Sequence, residues 1–467
     1  PMQLLFAVIL VLIAPLGAQA QPAPAPPPVA FTLDRAVQYA VEHYPTVRAA
    51  LEQVEASTAG VTVARAGYLP RLDSLWQSNR ATANNIFGQV FPQSVIPSMS
   101  GPVLPSASAG SVWGSAAGAL FSWEPFDFGL REATVAGAEA AVTRARASET
   151  LTRLEVQSAV GAAFLGVVAA QRAVVAAQAD VDRRDTLARI VHTLVDNQLR
   201  PGAEGSRIDA ERAAASTRLI QAQATLTLAQ TLLARVLGVR STVTVDAAGL
   251  LEQMPASEPN EAAAATHPLA QVHQAAVDVA KAQEDVLAHT DRPRLYLQSS
   301  LFARGSGANP DGQLDGSLSG LGLDRANWAA GVQIVFPNLF DFATLRARKA
   351  GAAAVERAES ALYEEATLTI TSQQQAAAAM LLASRAVAAN TPVQLAAAQQ
   401  SESQARARYQ AGLASIVEVA DTQSLLAQAE YQDQIARVDV WRALLAEAVA
   451  RGSLTPFLAL LHPPGDR

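Results

Sequence analysis

Pro125-Phe126-Asp127-Phe128-Gly129 closes an alternating run of residues and opens a long helical one. Pro337-Asn338-Leu339-Phe340-Asp341-Phe342 repeats that junction further along the chain. Other pairs follow the same plan. Pro45, Pro70 and Leu72 keep one constant spacing from Pro268, Pro293 and Leu295, and Asp209-Ala210-Glu211 is echoed by Asp421-Thr422-Gln423. A fixed order of elements at a long period is the mark of a duplicated structural unit. Residues 32–265 and 266–451 are therefore expected to be two copies of one plan, with strands near 70–80 and 111–124 in the first and 293–304 and 328–337 in the second.

Before each junction the period is two. Trp113, Ser115, Ala117, Ala119, Phe121 and Trp123 share one face, and Trp328, Ala330, Val332, Ile334 and Phe336 do so in the second copy. That alternation predicts strands. After each junction the composition turns to Ala, Arg, Glu, Gln, Val and Leu, mostly strong helix formers. Val160, Val167, Val174, Val181 and Val195 fall on a seven-residue grid, which favours supercoiling against neighbouring helices. Helical hairpins are expected over 129–237 and 342–450, turning at Pro201-Gly202 and at Gly412-Leu413. Pro392 should kink or divide the second hairpin. Residues 32–66 read as one helix, 238–265 as a mixed segment, and 452–467 as an irregular tail.

Composition narrows the function classes. Charged residues make up 16% of the chain, against roughly 25% in a typical soluble domain. Net charge is -7, with no basic patch, which argues against nucleic acid as a partner. There are no cysteines, so disulfides, thiolate metal sites, cysteine nucleophiles and a lipidated cysteine are excluded. Residues 1–20 read as a signal peptide, with an apolar run from Leu4 to Ile13 and Ala18-Gln19-Ala20 as the cleavage pattern. Pro/Ala-rich 21–31 reads as a flexible start. No later stretch reads as a transmembrane helix, so membrane entry is expected through strands closed into a barrel. Nine aromatic residues lie between Tyr68 and Phe128, and one, Phe164, between Gly129 and Arg292. Aromatics bracketing short alternating strands fit the girdles of an outer-membrane barrel.

Four strands cannot enclose a lumen, and Ala-rich helices roughly 100 Å long cannot bury their apolar stripe alone. Both point to several chains sharing one structure. No nucleotide loop, zinc-helix motif or nucleophile elbow is present, the histidines read as surface residues, and no catalytic residue, metal or cofactor is expected.

With these features in order, the chain resembles the TolC-like outer-membrane efflux proteins over nearly the whole length that follows the expected signal peptide. The resemblance rests on the duplication, the Pro70 and Pro293 helix-to-strand junctions, the junction residues Pro125, Asp127, Gly129, Pro337 and Asp341, and the run from Tyr409 to Asp421. It implies a mainly α fold with a small β part, and a homotrimer with a 12-stranded outer-membrane barrel and a twelve-helix periplasmic tunnel. It implies a passive exit duct for efflux or type I secretion, working with a periplasmic adaptor and an inner-membrane transporter, and in contact with outer-membrane lipid.

By the same resemblance, Glu418 and Asp421 would line the closed tip as rings of carboxylates, with Tyr409 helping to hold it shut. Ser206 and Asp209 are their first-copy counterparts. Pro201, Gly202, Gly412 and Leu413 would meet the adaptor. Ala414 stands where the family's best-studied pattern has a basic residue, so the tip is expected to rely on Tyr409 and helix packing, without an arginine bridge. The competing reading is an exported trimeric coiled-coil stalk; the Trp328–Phe336 alternation argues against it.

Overall fold

A computed structural model describes residues 30–82, 91, 93–96, 109–240, 243–247, 250–251, 263–309, 313–337 and 340–461. The expected signal peptide, most of the expected flexible start, and the end of the tail lie outside the described residues.

The chain opens with a two-residue strand, β1 (Ala30–Phe31), then α1 (Leu33–His43) and α2 (Pro45–Ala66). The single helix expected over 32–66 is thus two. Tyr44 is extended, with ψ 131°, because the ring of Pro45 disfavours the helical region for the residue before it. Strands β2 (Arg71–Thr82) and β3 (Ser111–Phe126) precede the long helices α3 (Leu130–Asp196) and α4 (Gly202–Leu237). After β4 (Thr244–Val245) come α5 (Pro268–His289), β5 (Arg294–Ser306), β6 (Arg325–Val335), α6 (Phe342–Gln410), α7 (Ile416–Ala450) and α8 (Thr455–Ala459). Strand β6 begins and ends a little before the expected 328–337.

Helices α3 and α6 hold 67 and 69 residues, about 100 Å each. Pro392 lies inside α6 without ending it, so it marks no join between two helices. A proline costs one backbone bond and a local clash. Here the neighbouring turns are held by packing, with Thr391 buried and bonded through Oγ1 to Asp433 Oδ1 of α7 at 3.1 Å.

The helices form an open layer. Near the sheet its order is α2-α3-α5-α6; toward the far end it is α4-α3-α7-α6. At mid-height the core gathers around Phe164, Leu165, Val167 and Val168 of α3, Leu237 of α4, and Trp441 and Leu444 of α7. Phe31 and Phe457 are buried in the same cluster, so β1 and α8 are docked, not loose or irregular. Strand β1 pairs in parallel with β4. Among the described residues, α3 alone is long and apolar enough by composition to cross a membrane, and 44% of its most apolar window is buried inside the protein. That window is the core stretch.

Strands β2, β3, β5 and β6 form one antiparallel sheet in that order. Register puts Leu72, Trp76, Phe121, Trp123, Leu301, Trp328 and Val332 on one face, all exposed. The other face carries Asp73, Gln77, Asn79, Gln298, Ser300 and Gln333.

Candidate functional site: the hairpin tips and the sheet junctions

At the end of the layer far from the sheet, the α3–α4 and α6–α7 turns meet. Helix α6 ends with Leu413 N–H donating to Arg408 O at 2.8 Å and Gly412 N–H to Tyr409 O at 3.0 Å. This closure needs a left-handed residue, supplied by Gly412 at φ 77°. At the other tip that conformation falls on Gln198, at φ 60°. Pro201 and Gly202 instead start α4, as N-cap and first residue. Ser415 caps α7, its Oγ accepting from Glu418 N–H at 3.4 Å. Leu199 and Leu413 are strongly exposed at the two turns.

Behind the turns, Leu187, Val191, Ile208, Ala405, Ile416 and Val419 pack around Tyr409, joining all four helices. Tyr409 is fully buried, and its Oη donates to Glu204 Oε2 at 2.9 Å. The Arg200 guanidinium lies 4.8 Å over its ring and 3.8 Å from Glu204 Oε1. Burial first, then the hydrogen bond and charge of Glu204, push the phenol up to about 12, against a smaller opposing effect of Arg200.

Glu418 is half-buried and paired with Arg408, Nη1 to Oε1 at 3.3 Å. The expectation of a tip without an arginine bridge is therefore corrected. Arg408, from the preceding helix, supplies the cation that Ala414 cannot, and Arg200 supplies another. Asp421 is exposed and makes no ion pair with a described residue. Ser206 is exposed, and Asp209 Oδ1 lies 3.0 Å from His192 Nε2 of α3.

Sequence reasoning missed a charged network further up. Arg184 is fully buried: Nε donates to Asp180 Oδ1 at 3.1 Å, Nη1 to Glu211 Oε2 at 2.8 Å, and Nη2 to Ser424 Oγ at 3.0 Å. Arg218 Nη2 reaches Asp180 Oδ2 at 2.8 Å. Arg183 grips Glu430 with both terminal nitrogens, at 3.0 and 2.8 Å. These bonds tie α3 and α4 to α7. The Asp180–Arg184 spacing of four was the available signal, but helix charges read by default as surface. His267 was also misread as surface. It is buried, accepting from Leu269 N–H at Nδ1, with Nε2 3.0 Å from Val449 O.

The two junctions differ. Asp127 is buried; Oδ2 accepts from Arg131 N–H at 2.8 Å and Nε at 2.7 Å, and Oδ1 from Gly129 N–H at 3.2 Å. Arg131 donates on to Gly67 O at 3.1 Å and stacks 4.8 Å over Tyr68. Burial raises the Asp127 carboxyl, but Arg131 and the backbone donors outweigh it and hold the group below its ordinary value. Pro125 is the penultimate residue of β3, and Pro337 follows β6. Asp341 is exposed and caps α6 without a side-chain bond. Leu345 stands where Arg131 stands in the first junction, so Asp341 has no local cation to grip.

The architecture is thus an antiparallel sheet with one apolar exposed face, carried on a layer of very long helices. The chain belongs to the outer membrane efflux protein family, whose model matches residues 36–239 and 259–446. It is 27% identical to Protein CyaE of Bordetella pertussis over 453 residues, 93% of this chain and 88% of that one. The fold is similar to that of CusC, with TM-score 0.75 and 14% identity over 90% of this chain and 92% of that one. The open state of the MtrE outer membrane channel of Neisseria gonorrhoeae gives 0.72 and 18%, over 90% and 89%.

Proposed function

We propose that the protein is a passive, homotrimeric exit duct of a tripartite efflux or type I secretion system, spanning the outer membrane and periplasm. The observation that carries this reading is the sheet. Its strands alternate in direction, so the open edges β6 and β2 of neighbouring copies can pair antiparallel. Three copies would close a barrel of 12 strands, an even number within the range of bacterial outer-membrane barrels. The exposed Trp/Leu/Val face then meets lipid and the polar face lines the lumen. The open helix layer supports the same assembly, since Leu362, Leu368 and Met380 of α6 and Ile220 and Leu228 of α4 are exposed. Residues 32–265 and 266–451 then act as structural repeats around the tube.

No reaction is catalysed and no cofactor is required; the energy comes from an inner-membrane transporter reached through a periplasmic adaptor. Leu199, Pro201, Gly202, Gly412 and Leu413 form the surface offered to the adaptor. Tyr409 and Glu204 hold the tip closed. Glu418 and Asp421 lie on one face of α7, and with Glu418 neutralised by Arg408, Asp421 carries the main carboxylate ring of the constriction. Such a ring favours cations.

The test is conductance in a planar bilayer, beside Glu418→Ala/Asp421→Ala. Small cation-preferring channels that lose selectivity in the variant support the duct and the constriction. Folded protein that forms no channels overturns the duct.

A further inference from the structure

The polar face of the sheet carries an apolar patch. Leu75, Ala116, Leu120 and Phe302 lie together on it at mid-height of the strands. Exposing such a patch to a watery lumen would cost about 25 cal/mol per Å². It is covered: Val95 and Ile96, from the connection between β2 and β3, sit on it and are themselves buried with Ala116 and Phe302.

The seat is shaped for this turn. A Cβ on Gly118 would stand 2.8 Å from Phe302 Cβ and 3.2 Å from Ile96 Cγ1, so glycine alone leaves the notch open. The turn is internally fastened. Gln93 Oε1 accepts from Val95 N–H at 2.6 Å and Ile96 N–H at 2.7 Å, while Gln93 Nε2 donates to Ile96 O at 2.8 Å. It is also tied to the strand wall, with Phe91 N–H donating to Gln77 Oε1 at 3.2 Å. Val95 and Ile96 thus lie at the level of Leu75, roughly 23 Å from the rim at Thr82 at ~3.3 Å per residue of β2.

We propose that this turn, Phe91 with residues 93–96, is a plug seated inside the barrel, a second constriction in series with the helical tip. The proposal rests on the duct reading above. It makes the polar mouth selective by size: cargo that clears the tip must still unseat Val95 and Ile96 or pass beside Phe91, which is left exposed. Two constrictions in series have one electrical consequence. With the tip closed, conductance reports the tip and is blind to the plug.

Labelling from outside separates them, and the cysteine-free chain gives a clean background. Gln298 is exposed on the same face as Phe302, nearer the helical end; Asn309 is exposed just beyond the rim of β5. Cells displaying Gln298→Cys or Asn309→Cys are treated with a maleimide on a poly(ethylene glycol) chain too large to cross the outer membrane. Uncovering one buried aliphatic side chain shifts the seated fraction about tenfold or more. Gln298→Cys should therefore label at least about tenfold faster when Ile96→Asp is added, with Asn309→Cys unchanged. Val95→Asp, at the other buried side chain of the turn, should act like Ile96→Asp and guards against a folding defect in either one. Equal rates for Gln298→Cys in all backgrounds, from assembled protein, overturn the plug and leave the duct standing. If Gln298→Cys resists even a small maleimide in every background while Asn309→Cys reacts, there is no lumen at that face, and the duct reading fails with the plug.

Discussion

The Tyr409 hydroxyl and the Glu204 carboxylate, 2.9 Å apart, join the last turn of α6 in one hairpin to the first turn of α4 in the other. Neither hairpin can shift at its tip without breaking that bond. Tyr409→Phe keeps the ring and its contact with Arg200 but removes the donor. A neutral-to-charged hydrogen bond contributes about 1.5–3 kcal/mol, so tip opening should become at least tenfold more frequent. Single-channel recording should show higher mean conductance in Tyr409→Phe and a similar rise in Glu204→Gln, with little further gain in the double variant. Unchanged conductance in both would remove Tyr409 from the gate.

The same bond sets an alkaline limit. The phenol ordinarily titrates near 10 and is pushed up to about 12 when folded. An acid whose folded value is raised contributes stability that is full below the unfolded value and is lost as pH rises through the folded one. Tip closure should weaken between about pH 10 and 12, and Tyr409→Phe should lack that step. Conductance against pH is the measurement.

Asp127 predicts an acid limit at the opposite end of the helices. Its carboxyl is held below its ordinary value of 3.8, so its contribution is present above that value and is lost as pH falls through the folded one. Asp127→Asn should be less stable than wild type at pH 7 and should flatten the fall in melting temperature below about pH 4. Asp341→Asn should do neither, since that side chain is exposed and makes no cap bond.

Arg184 predicts a large, non-additive effect. Arg184→Met leaves Asp180, almost fully buried, with Arg218 alone. Breaking a buried pair by removing one partner costs about 3–5 kcal/mol. The midpoint of guanidinium unfolding should fall markedly in Arg184→Met and recover in part when Asp180→Leu is added. A loss in the double variant equal to the sum of the Arg184→Met and Asp180→Leu losses would mean that the charges are not coupled.

The long elements were legible because their signals run over many residues. The Trp113–Trp123 alternation, the proline junctions and the unbroken Ala/Arg/Gln runs each outlast local noise. Gly412 was legible as a left-handed turn because few other residues adopt that geometry cheaply. What escaped depends on distant partners. Strand β1 is two residues long and is made by its pairing with β4. Arg184 is buried only because Glu211 and Ser424 meet it from two other helices. Arg408 could not be matched to Glu418 by comparing motif positions, because it reaches the motif from the helix before it. The break at Tyr44 was readable, since Pro45 disfavours a helical residue ahead of it. The docking of Phe31 and Phe457 was missed because composition is silent about a single anchoring side chain.

Pro392 makes the second hairpin a lever. The proline has no N–H to offer Ala388 one turn back, so α6 bends more easily there than elsewhere along its length. From Pro392 to Gln410 the helix extends roughly 27 Å. A tilt of about 5° at the proline would carry the tip about 2 Å sideways over that arm, enough to part Tyr409 from Glu204. Thr391, fastened to Asp433 of α7, sits beside the proline and would keep the two helices together if the arm swung. On the duct reading, a small angle at the point where one backbone bond is already missing would therefore suffice to open the tip.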